Sequence, residues 1–383
     1  MDTNFATAMS RALEETRAGR ATEATRIIQA AMGQGTAGTA PSAPPAAAPG
    51  LPGLNVRKGL NGIGGGNGLN GLRDRKPLGR VIETLTNGKR LRPEGLMHRG
   101  RAPRIDLPEG ARYDRRTHST AQGSRDYTLF IPSPRDTAPR GLVMMLHGCT
   151  QNADDFAAGT QMHIHAEREN LILAYPDQDR GANQMGCWNW FQPRDQMRDG
   201  GEPAILADLA RTLSDEFAIP AGHAFVAGLS AGGAMAAILG VTHGDVFAAV
   251  GVHSGLAPGA ARDVMSAYSA MSGKGAPFPA AAPVRTIVIH GTADATVHPD
   301  NAGQVLAAAL GGAPSVIVDG GKGDGPAIHL DSDGGVLAES WSVPGLAHAW
   351  SGGSPAGSYT APGSVDASAE MMRFFVNALD DMA

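Results

Sequence analysis

The sequence predicts an α/β domain with a mostly parallel central sheet flanked by helices, starting near residue 108. From that point short apolar runs alternate with segments of helical periodicity, which is the order of elements in such domains. The runs from Leu142 onward are apolar throughout instead of alternating, as in strands buried on both faces. In addition, 42% of the 383 residues are hydrophobic, which suffices for a large buried core.

The same pattern predicts eight strands and five helices. The strands are predicted at residues 112–118, 127–131, 142–146, 171–175, 224–227, 247–252, 284–289 and 338–343. The first two of these are expected to form an antiparallel edge. The helices are predicted at residues 156–169, 202–217, 231–241, 301–310 and 366–379.

Residues 1–107 are predicted to form an extension ahead of the domain, which itself covers residues 108–383. In residues 1–32 apolar side chains recur near helical spacing, which predicts an amphipathic helical segment. Residues 33–107 are first rich in Pro and Gly and then basic. Because such a composition cannot bury enough apolar surface to offset the entropy of ordering, we expect a disordered linker there.

Charge is distributed unevenly along the chain. Residues 73–120 carry 13 basic and 6 acidic side chains, whereas residues 121–383 carry 13 basic and 27 acidic ones. Because an acidic domain repels phosphate groups, nucleic acid is not expected as its substrate. The basic segment is suited to contact a polyanion or the acidic domain itself.

Two features bear on the cellular location. No run of 18 apolar residues is present, and the N-terminus lacks a basic start followed by an apolar stretch. We therefore expect no transmembrane segment and a cytoplasmic location, with an extracellular one as the alternative.

The two cysteines, Cys149 and Cys187, allow at most one disulfide. Free thiols are the default for a cytoplasmic chain, so their pairing stays open.

Ser230 is the candidate nucleophile. Residues 228–232 read Gly-Leu-Ser-Ala-Gly and lie between a predicted strand and a helix that begins with small residues. A Gly-x-Ser-x-Gly sequence in this position is typical of a nucleophile elbow, in which the serine sits on a strained turn between a closely packed strand and helix. The alternative is a purely structural tight turn.

The candidate acid and base follow the serine along the chain, in the order expected for this kind of site. Asp294 comes directly after the strand predicted at 284–289 and is the first candidate acid. Asp300 is the alternative, although it opens a predicted helix and is more simply an N-cap. Among the 12 histidines, His348 is the candidate base because it lies in a loop between the last predicted strand and the last helix.

The other histidines near these motifs have simpler roles. His253 and His290 end predicted strands and fit packing positions, and His298 follows Asp294 too closely to bridge it to Ser230. An oxyanion hole needs two backbone N–H groups, one from the residue after the nucleophile and one from the loop after an early strand. Ala231 supplies the first and Cys149 is the candidate for the second.

No cofactor or metal is expected. The two cysteines lack a second close pair of ligands, and the histidines do not have the spacing of a zinc cluster. The glycine-rich stretches do not follow the strand-to-helix pattern of a phosphate-binding loop.

Taken together, the motifs resemble those of the poly(3-hydroxybutyrate) depolymerase family of esterases. The resemblance begins near residue 108 and is carried by four segments, at residues 146–152, 187–191, 228–235 and 290–299. It implies an α/β-hydrolase fold and a catalytic triad, matched here by Ser230, Asp294 and His348. It also implies ester hydrolysis, of polyhydroxybutyrate or hydroxyalkanoate oligomers and short-chain esters, or alternatively of feruloyl or acetyl groups on carbohydrate.

Three of the four tryptophans lie in loops near these motifs. If exposed, Trp188, Trp190 and Trp350 would form an apolar cleft for a polyester or an aromatic acyl group. The alternative is that Trp188 and Trp190 simply pack a long loop. The amphipathic segment at the N-terminus would serve to bind a polymer granule or to form an oligomer, unless the extension is dispensable. A non-catalytic binding protein of the same fold is a further alternative, and it would require a decayed triad.

Overall fold

Ten of the strands described below form one continuous sheet. The computed structural model describes residues 105–318, 325–363 and 365–381, all within the compact unit Arg99–Ala383. The strands are β1 (Arg112–Thr120), β2 (Gly123–Ile131), β3 (Gly141–Leu146), β4 (Leu171–Pro176), β5 (Ala224–Leu229), β6 (Ala249–His253), β7 (Thr286–Gly291), β8 (Val316–Val318), β9 (Ala327–Leu330) and β10 (Val336–Val343). Two short strands, β11 (Trp350–Ser351) and β12 (Thr360–Ala361), pair separately.

The centre of the sheet is parallel and its two edges are antiparallel. The strand order is β1-β2-β4-β3-β5-β6-β7-β10-β9-β8, with parallel pairing from β4 through β10. The pairs β1–β2, β2–β4, β10–β9 and β9–β8 are antiparallel, so the predicted antiparallel edge is confirmed. The six parallel strands all direct their carboxyl ends toward one edge of the sheet, where the candidate site residues lie.

Helices cover both faces of the sheet. They are α1 (Ala153–Thr160), α2 (Met162–Glu169), α3 (Gly201–Glu216), α4 (Ala231–Thr242), α5 (Val264–Ser269), α6 (Asp300–Leu310) and α7 (Ala367–Asp380). Core residues of α3, α4 and α6 pack on one face with Leu142 and Met144 of β3. Those of α1, α2 and α7 pack on the other face with Val143 and Met145. Alternate residues of one strand thus enter two cores, which explains its uninterrupted apolar sequence.

The prediction of a single helix at residues 156–169 is wrong, because two helices occupy this range. The chain breaks at Gln161, whose φ of 51° is left-handed and cannot continue an α-helix. Asn152 starts the first helix three residues early, and its side chain accepts a hydrogen bond from the Asp155 N–H. The elements α5, β8, β9, β11 and β12 were not predicted. The segment at residues 1–32 and most of the linker lie outside the described residues.

The sheet ends in an exposed strand. Val316, Ile317 and Val318 of β8 have relative exposures of 62%, 63% and 41%, although all three are apolar. No helix in the described segments is both long and apolar enough to cross a membrane.

Candidate active site

Ser230 lies in the tight turn between β5 and α4. Its backbone has φ 58° and ψ −118°, a strained conformation for a residue with a Cβ. The Ser230 N–H donates to the carbonyl oxygen of His253 on β6 (2.9 Å), and the Ser230 carbonyl accepts from the Ala234 N–H (2.9 Å). These two bonds hold the turn, and the side chain is half-buried at the carboxyl edge of the sheet.

The glycines of the elbow are required by close backbone contacts. A Cβ on Gly232 would lie 2.0 Å from the carbonyl oxygen of Leu146 at the end of β3. A Cβ on Gly228 would lie 2.4 Å from the backbone of Gly232. Both distances are far below van der Waals contact. The motif therefore lets β3, β5 and α4 meet at the nucleophile.

Asp294 and His348 form a hydrogen-bonded pair. His348 Nδ1 lies 2.7 Å from Asp294 Oδ2, and because an ionised carboxylate only accepts, the imidazole carries its proton on Nδ1. The other oxygen, Asp294 Oδ1, accepts from the N–H groups of Thr296 and Val297, each at 2.9 Å. The Asp294 carboxylate is buried and held in place, so it is a fixed acceptor that sets the orientation of the His348 imidazole.

The loops that carry these two residues are joined to each other. The Ala293 N–H donates to the carbonyl of Leu346 (3.0 Å), and the Thr292 N–H donates to that of Val343 (3.0 Å). Gly291 fits because a Cβ there would lie 2.1 Å from the Leu346 carbonyl oxygen. The parallel pairing of β7 with β10 brings the two loops together, although Asp294 and His348 are 54 residues apart.

The environment of Asp294 favours its ionised form. Burial raises the pKa of the Asp294 carboxyl, but the hydrogen bond and charge interaction with His348 and the two backbone N–H bonds outweigh it. The net result is a pKa below the usual value for an aspartate. The carboxylate is thus a permanent acceptor at neutral pH.

Asp300 does not have the predicted capping role. It is the first residue of α6, the N-cap position is Pro299, and no side chain caps this helix. The Asp300 carboxylate lies 3.3 Å from His298 Nδ1 on the surface. The structure therefore pairs His348 with Asp294 and places Asp300 apart from that pair.

His253 and His290 are buried, as their predicted packing roles require. His253 Nε2 accepts from the Ser351 N–H (3.0 Å), which requires a neutral ring, and burial lowers the pKa of His253 to about 3. His290 Nε2 donates to the Val297 carbonyl (2.9 Å), and burial likewise lowers its pKa. Neutral His253 thus links the Ser230 turn to the loop that carries His348.

Two backbone N–H groups are available near Ser230, the candidate nucleophile. Ala231 is the first residue of α4, and Cys149 follows Gly148 at the end of β3. Within the described part of the chain neither N–H donates to another protein group. A Cβ on Gly148 would lie 3.6 Å from the Ser230 Cβ, so the Gly148 turn borders the nucleophile. This arrangement fits the predicted oxyanion hole.

The loop that carries Cys149 is fixed by several contacts. Gln151 Oε1 accepts from the Gly148 N–H (2.9 Å), and Trp188 Nε1 donates to the His147 carbonyl (3.1 Å). His147 is buried and neutral, because burial lowers its pKa, and its Nε2 accepts from the Gln178 N–H (3.1 Å). Gln151 was not singled out in the sequence, since a side chain that binds its own turn belongs to no catalytic motif.

Cys149 and Cys187 form a disulfide. The sequence left the pairing of these two cysteines open, with free thiols as the default, and the structure shows that they are bonded. It connects the loop of the candidate oxyanion hole to the loop that carries Trp188. The two loops are thereby joined covalently as well as by hydrogen bonds.

A buried carboxylate holds the second of these loops. Glu202 on α3 accepts from the Asn189 N–H (2.7 Å) and from Asn189 Nδ2 (2.8 Å), and it also accepts from Gln178. Arg125 of β2 supplies a buried counter-charge at 3.3 Å. Burial still raises the pKa of Glu202, with the hydrogen bond from Gln178 opposing the shift. The network ties the loop to two elements of the scaffold.

Of the two interpretations of the tryptophans, the exposed cleft is wrong, and the alternative that Trp188 and Trp190 pack a long loop agrees with their burial. Trp188, Trp190 and Trp350 have relative exposures of 0%, 6% and 1%. Each of the two most buried indoles has a hydrogen-bond acceptor, the His147 carbonyl for Trp188 and Ser368 Oγ for Trp350 (3.0 Å). A large ring with a satisfied N–H stabilises loops from inside, so these residues lie beneath the site instead of lining it.

Of the two hydrogen bonds expected within the predicted triad, the structure shows the one between Asp294 and His348. Asp294 and His348 are in direct contact, and Ser230 lies at the same edge of the sheet. Ser230 Oγ makes no hydrogen bond to His348 among the described residues. Contacts of this kind commonly tighten only when substrate binds. The described residues contain no group of three or more His, Cys, Asp or Glu side chains suited to a metal ion.

Comparison with known proteins gives one family match. The model of the family "Esterase PHB depolymerase" matches residues 125–322, just over half of the chain. Ser230, Asp294 and both oxyanion candidates lie inside the matched range. His348 lies beyond it and is placed by the structure.

The alignments with curated relatives cover about half of each relative's length. A poly(3-hydroxybutyrate) depolymerase of Ralstonia pickettii is 30% identical over 261 residues, which cover 59% of this chain and 51% of the relative. A feruloyl esterase B of Thermothelomyces thermophilus is 29% identical over 140 residues, covering 36% and 47%. The chain thus spans about half the length of these relatives.

A solved structure supports the fold. An acetyl xylan esterase from Aspergillus awamori superposes with a TM-score of 0.53 at 18% identity, covering 66% of this chain and 94% of the other. Together with the strand order, this likeness confirms the predicted α/β-hydrolase fold.

Proposed function

Because the family match covers more than half of the chain, this protein belongs to the esterase PHB depolymerase family, and we propose that it is a serine esterase that hydrolyses carboxylic esters. The observation that carries the proposal is the contact of His348 Nδ1 with Asp294 Oδ2 at 2.7 Å, at the edge of the sheet where Ser230 sits in a strained elbow. A buried acceptor that fixes the tautomer of an imidazole is what an Asp-His pair contributes to acyl transfer.

In the first half of the reaction Ser230 Oγ attacks the ester carbonyl carbon. His348 Nε2 takes the serine proton, because Nδ1 is already protonated and donates to Asp294. The negative charge that develops on the carbonyl oxygen is stabilised by the N–H groups of Cys149 and Ala231. His348 then gives its proton to the departing alcohol oxygen, which leaves an acyl group on Ser230.

In the second half water hydrolyses the acyl-enzyme. His348 takes a proton from the water while its oxygen attacks the acyl carbon, and the same two N–H groups stabilise the second oxyanion. Collapse of that intermediate breaks the bond to Ser230 Oγ, which recovers its proton from His348. Each cycle consumes one water and releases one alcohol and one carboxylic acid.

Polyhydroxybutyrate or hydroxyalkanoate oligomers and short-chain esters are the substrates we propose. Similarity to a poly(3-hydroxybutyrate) depolymerase over 59% of this chain supports this choice. The second candidate is an esterase that releases feruloyl or acetyl groups from carbohydrate, which is favoured by the similarity to a feruloyl esterase B. Comparing turnover of hydroxybutyrate oligomers, methyl ferulate and acetylated xylan distinguishes the two.

The cellular location we propose is extracellular, the alternative to the cytoplasmic one expected from the sequence. The disulfide between Cys149 and Cys187 supports this, because such bonds persist in oxidising compartments and are rare in the cytoplasm.

We also propose that the amphipathic segment at residues 1–32 associates with polymer granules. Its apolar residues at helical spacing support that role.

Replacing the nucleophile tests the proposal. Ser230→Ala should lower kcat on p-nitrophenyl butyrate by roughly 10³ to 10⁶, the range typical of triad removal, without unfolding the protein. Ser272→Ala is the matched control, since the Ser272 hydroxyl donates only to the Ser269 carbonyl and its loss should leave kcat unchanged. Substantial turnover by Ser230→Ala would contradict the assignment of Ser230 as the nucleophile. No turnover by the unmodified protein would contradict the esterase function and favour a non-catalytic binding protein.

A further inference from the structure

Strained backbone is concentrated around the proposed active site. Of seven non-glycine residues with positive φ in the described part of the chain, four lie on its loops. Ser230 is the nucleophile, Thr150 follows Cys149, and Ser254 follows His253. The fourth is Tyr359, with a φ of 52°. A bulky aromatic residue seldom adopts this conformation, and strain of this kind clusters at functional sites and ligand clamps.

The backbone of Tyr359 is held in place from both sides. Its carbonyl accepts from the Trp350 N–H (2.7 Å). The preceding residue, Ser358, donates through its N–H and its hydroxyl to the Asp155 carboxylate (2.9 and 2.5 Å). The Ser358 carbonyl accepts from Gln151 Nε2 (3.0 Å), and Gln151 also holds the Gly148 N–H. These contacts compensate for the strain.

Tyr359 bridges the two loops that flank the nucleophile. Its hydroxyl lies 3.2 Å from Thr150 Oγ1, and Thr150 is adjacent to the oxyanion candidate Cys149. Its carbonyl is bonded to Trp350, two residues after the base His348. Tyr359 therefore connects the loop of the oxyanion candidate Cys149 to the loop that carries the base His348.

The ring of Tyr359 remains accessible. It is 44% exposed, whereas none of the three tryptophans near the motifs exceeds 6%. A tyrosine whose hydroxyl is engaged at one end presents an apolar ring with a fixed orientation. Unlike the three tryptophans, Tyr359 thus offers an accessible ring on the loops beside Ser230.

We propose that Tyr359 is a specificity-determining residue whose ring forms the wall of the substrate cleft and contacts the aliphatic chain of a hydroxyalkanoate or alkanoate ester. This inference rests on the esterase function proposed above. Contact with two or three methylene groups of the acyl chain should favour longer acyl chains by about tenfold or more in kcat/KM. The strained backbone keeps the ring at the cleft instead of in the core.

The test compares acyl chains of two lengths. Steady-state kinetics with p-nitrophenyl acetate and p-nitrophenyl hexanoate are measured for Tyr359→Asn, which removes the ring but tolerates positive φ, and for Tyr359→Phe, which keeps the ring. Tyr359→Asn should reduce the hexanoate-to-acetate ratio of kcat/KM about tenfold, mainly through KM for hexanoate. Tyr359→Phe should keep the ratio within about twofold of wild type. Tyr268→Asn, which removes a ring of similar exposure (41%) on α5, should not change it.

Binding provides a second readout that does not depend on turnover. In the Ser230→Ala background, calorimetry with a 3-hydroxybutyrate trimer should show about tenfold weaker binding when Tyr359→Asn is added. An unchanged selectivity ratio together with unchanged trimer binding would overturn the proposal. So would a Tyr359→Phe variant that loses selectivity as Tyr359→Asn does, because the hydroxyl and not the ring would then be responsible. Failure of the esterase function itself is recognised separately, because the wild type would then turn over neither p-nitrophenyl acetate nor p-nitrophenyl hexanoate.

Discussion

Asp294 uses both of its carboxylate oxygens, one for His348 and the other for two backbone N–H groups. The second set of bonds fixes the plane of the carboxylate, so the imidazole has one favoured orientation. An amide at this position would have an acceptor on only one atom. Either the backbone bonds or the bond to His348 Nδ1 would be lost.

Asn substitution therefore discriminates between the two candidate acids. Asp294→Asn should lower kcat on p-nitrophenyl butyrate by about 10⁴, because the imidazole loses its tautomer partner. Asp300→Asn should leave kcat unchanged and cost no more than about 1 kcal/mol of stability, because this exposed first-turn acid interacts only with the helix dipole and the exposed His298 side chain. Kinetics and thermal unfolding of both variants measure this. A larger kcat loss for Asp300→Asn would move the acid to that residue.

At the residue level, side chains that follow strands were the predictable ones. Ser230, Asp294 and His348 were proposed from the sequence because strand ends and chain order restrict where such groups lie, and the structure brings Asp294 and His348 into contact. Exposure was not predictable in the same way, so the sequence left open whether Trp188 is exposed or packed, and the burial of Trp350 was missed. Tyr359 was not identified at all, because a positive φ in a tyrosine leaves no pattern in the sequence.

Among the elements, the loop with Cys149 is the one whose position depends on a covalent bond. The disulfide encloses a sequence separation of 38 residues, for which loop-closure entropy predicts about 4 kcal/mol of stabilisation. The double variant Cys149→Ala, Cys187→Ala should lower Tm accordingly. It should lower kcat by about tenfold or less, because the hydrogen bonds from Trp188 and Gln178 to His147 still hold the loop.

Reductant is the matched control for the disulfide prediction. It should lower the Tm of the wild type toward that of the double variant and leave the double variant unchanged. Thiol titration of the unfolded, unreduced wild type should find no free thiol. Two free thiols, or equal sensitivity of both proteins to reductant, would show that the bond does not form in solution.

The eight predicted strands all occur, with ends that differ by a few residues. The five from β3 to β7 were predictable because they are buried on both faces, which leaves a nearly uninterrupted apolar run. The short strands β8, β9, β11 and β12 lie at an edge or in a loop, and none has more than three consecutive apolar residues, which is too short a run to predict a strand. The break at Gln161 was missed because a residue other than glycine or proline interrupts the helical pattern there.

At the scale of the whole molecule, the extension and the α/β domain have separable roles in our proposal. Every proposed catalytic and oxyanion group lies between residues 149 and 348. Removal of residues 1–72 should therefore leave kcat/KM on p-nitrophenyl butyrate within about twofold of wild type. Hydrolysis of granular polymer should fall strongly, since the truncated protein lacks the amphipathic segment. Release of soluble hydroxybutyrate from granules measures the difference.

Two outcomes would separate the roles differently. Equal activity of full-length and truncated protein on both substrates would contradict granule anchoring. Loss of activity on the soluble ester would show that the domain depends on the extension. High salt is a further control, because a basic segment that merely adheres to the acidic domain is released by salt, whereas apolar anchoring to a granule is not.

The exposed β8 strand matters for the colloidal behaviour of the protein at high concentration. Three consecutive exposed apolar side chains stand beside a row of backbone groups that no further strand among the described residues satisfies. Such an edge is a template for strand addition by a neighbouring molecule. We expect concentrated solutions to self-associate through this edge, on the opposite side of the sheet from β1. Crystallisation or formulation would therefore benefit from Ile317→Lys, which places a charge on this exposed edge strand.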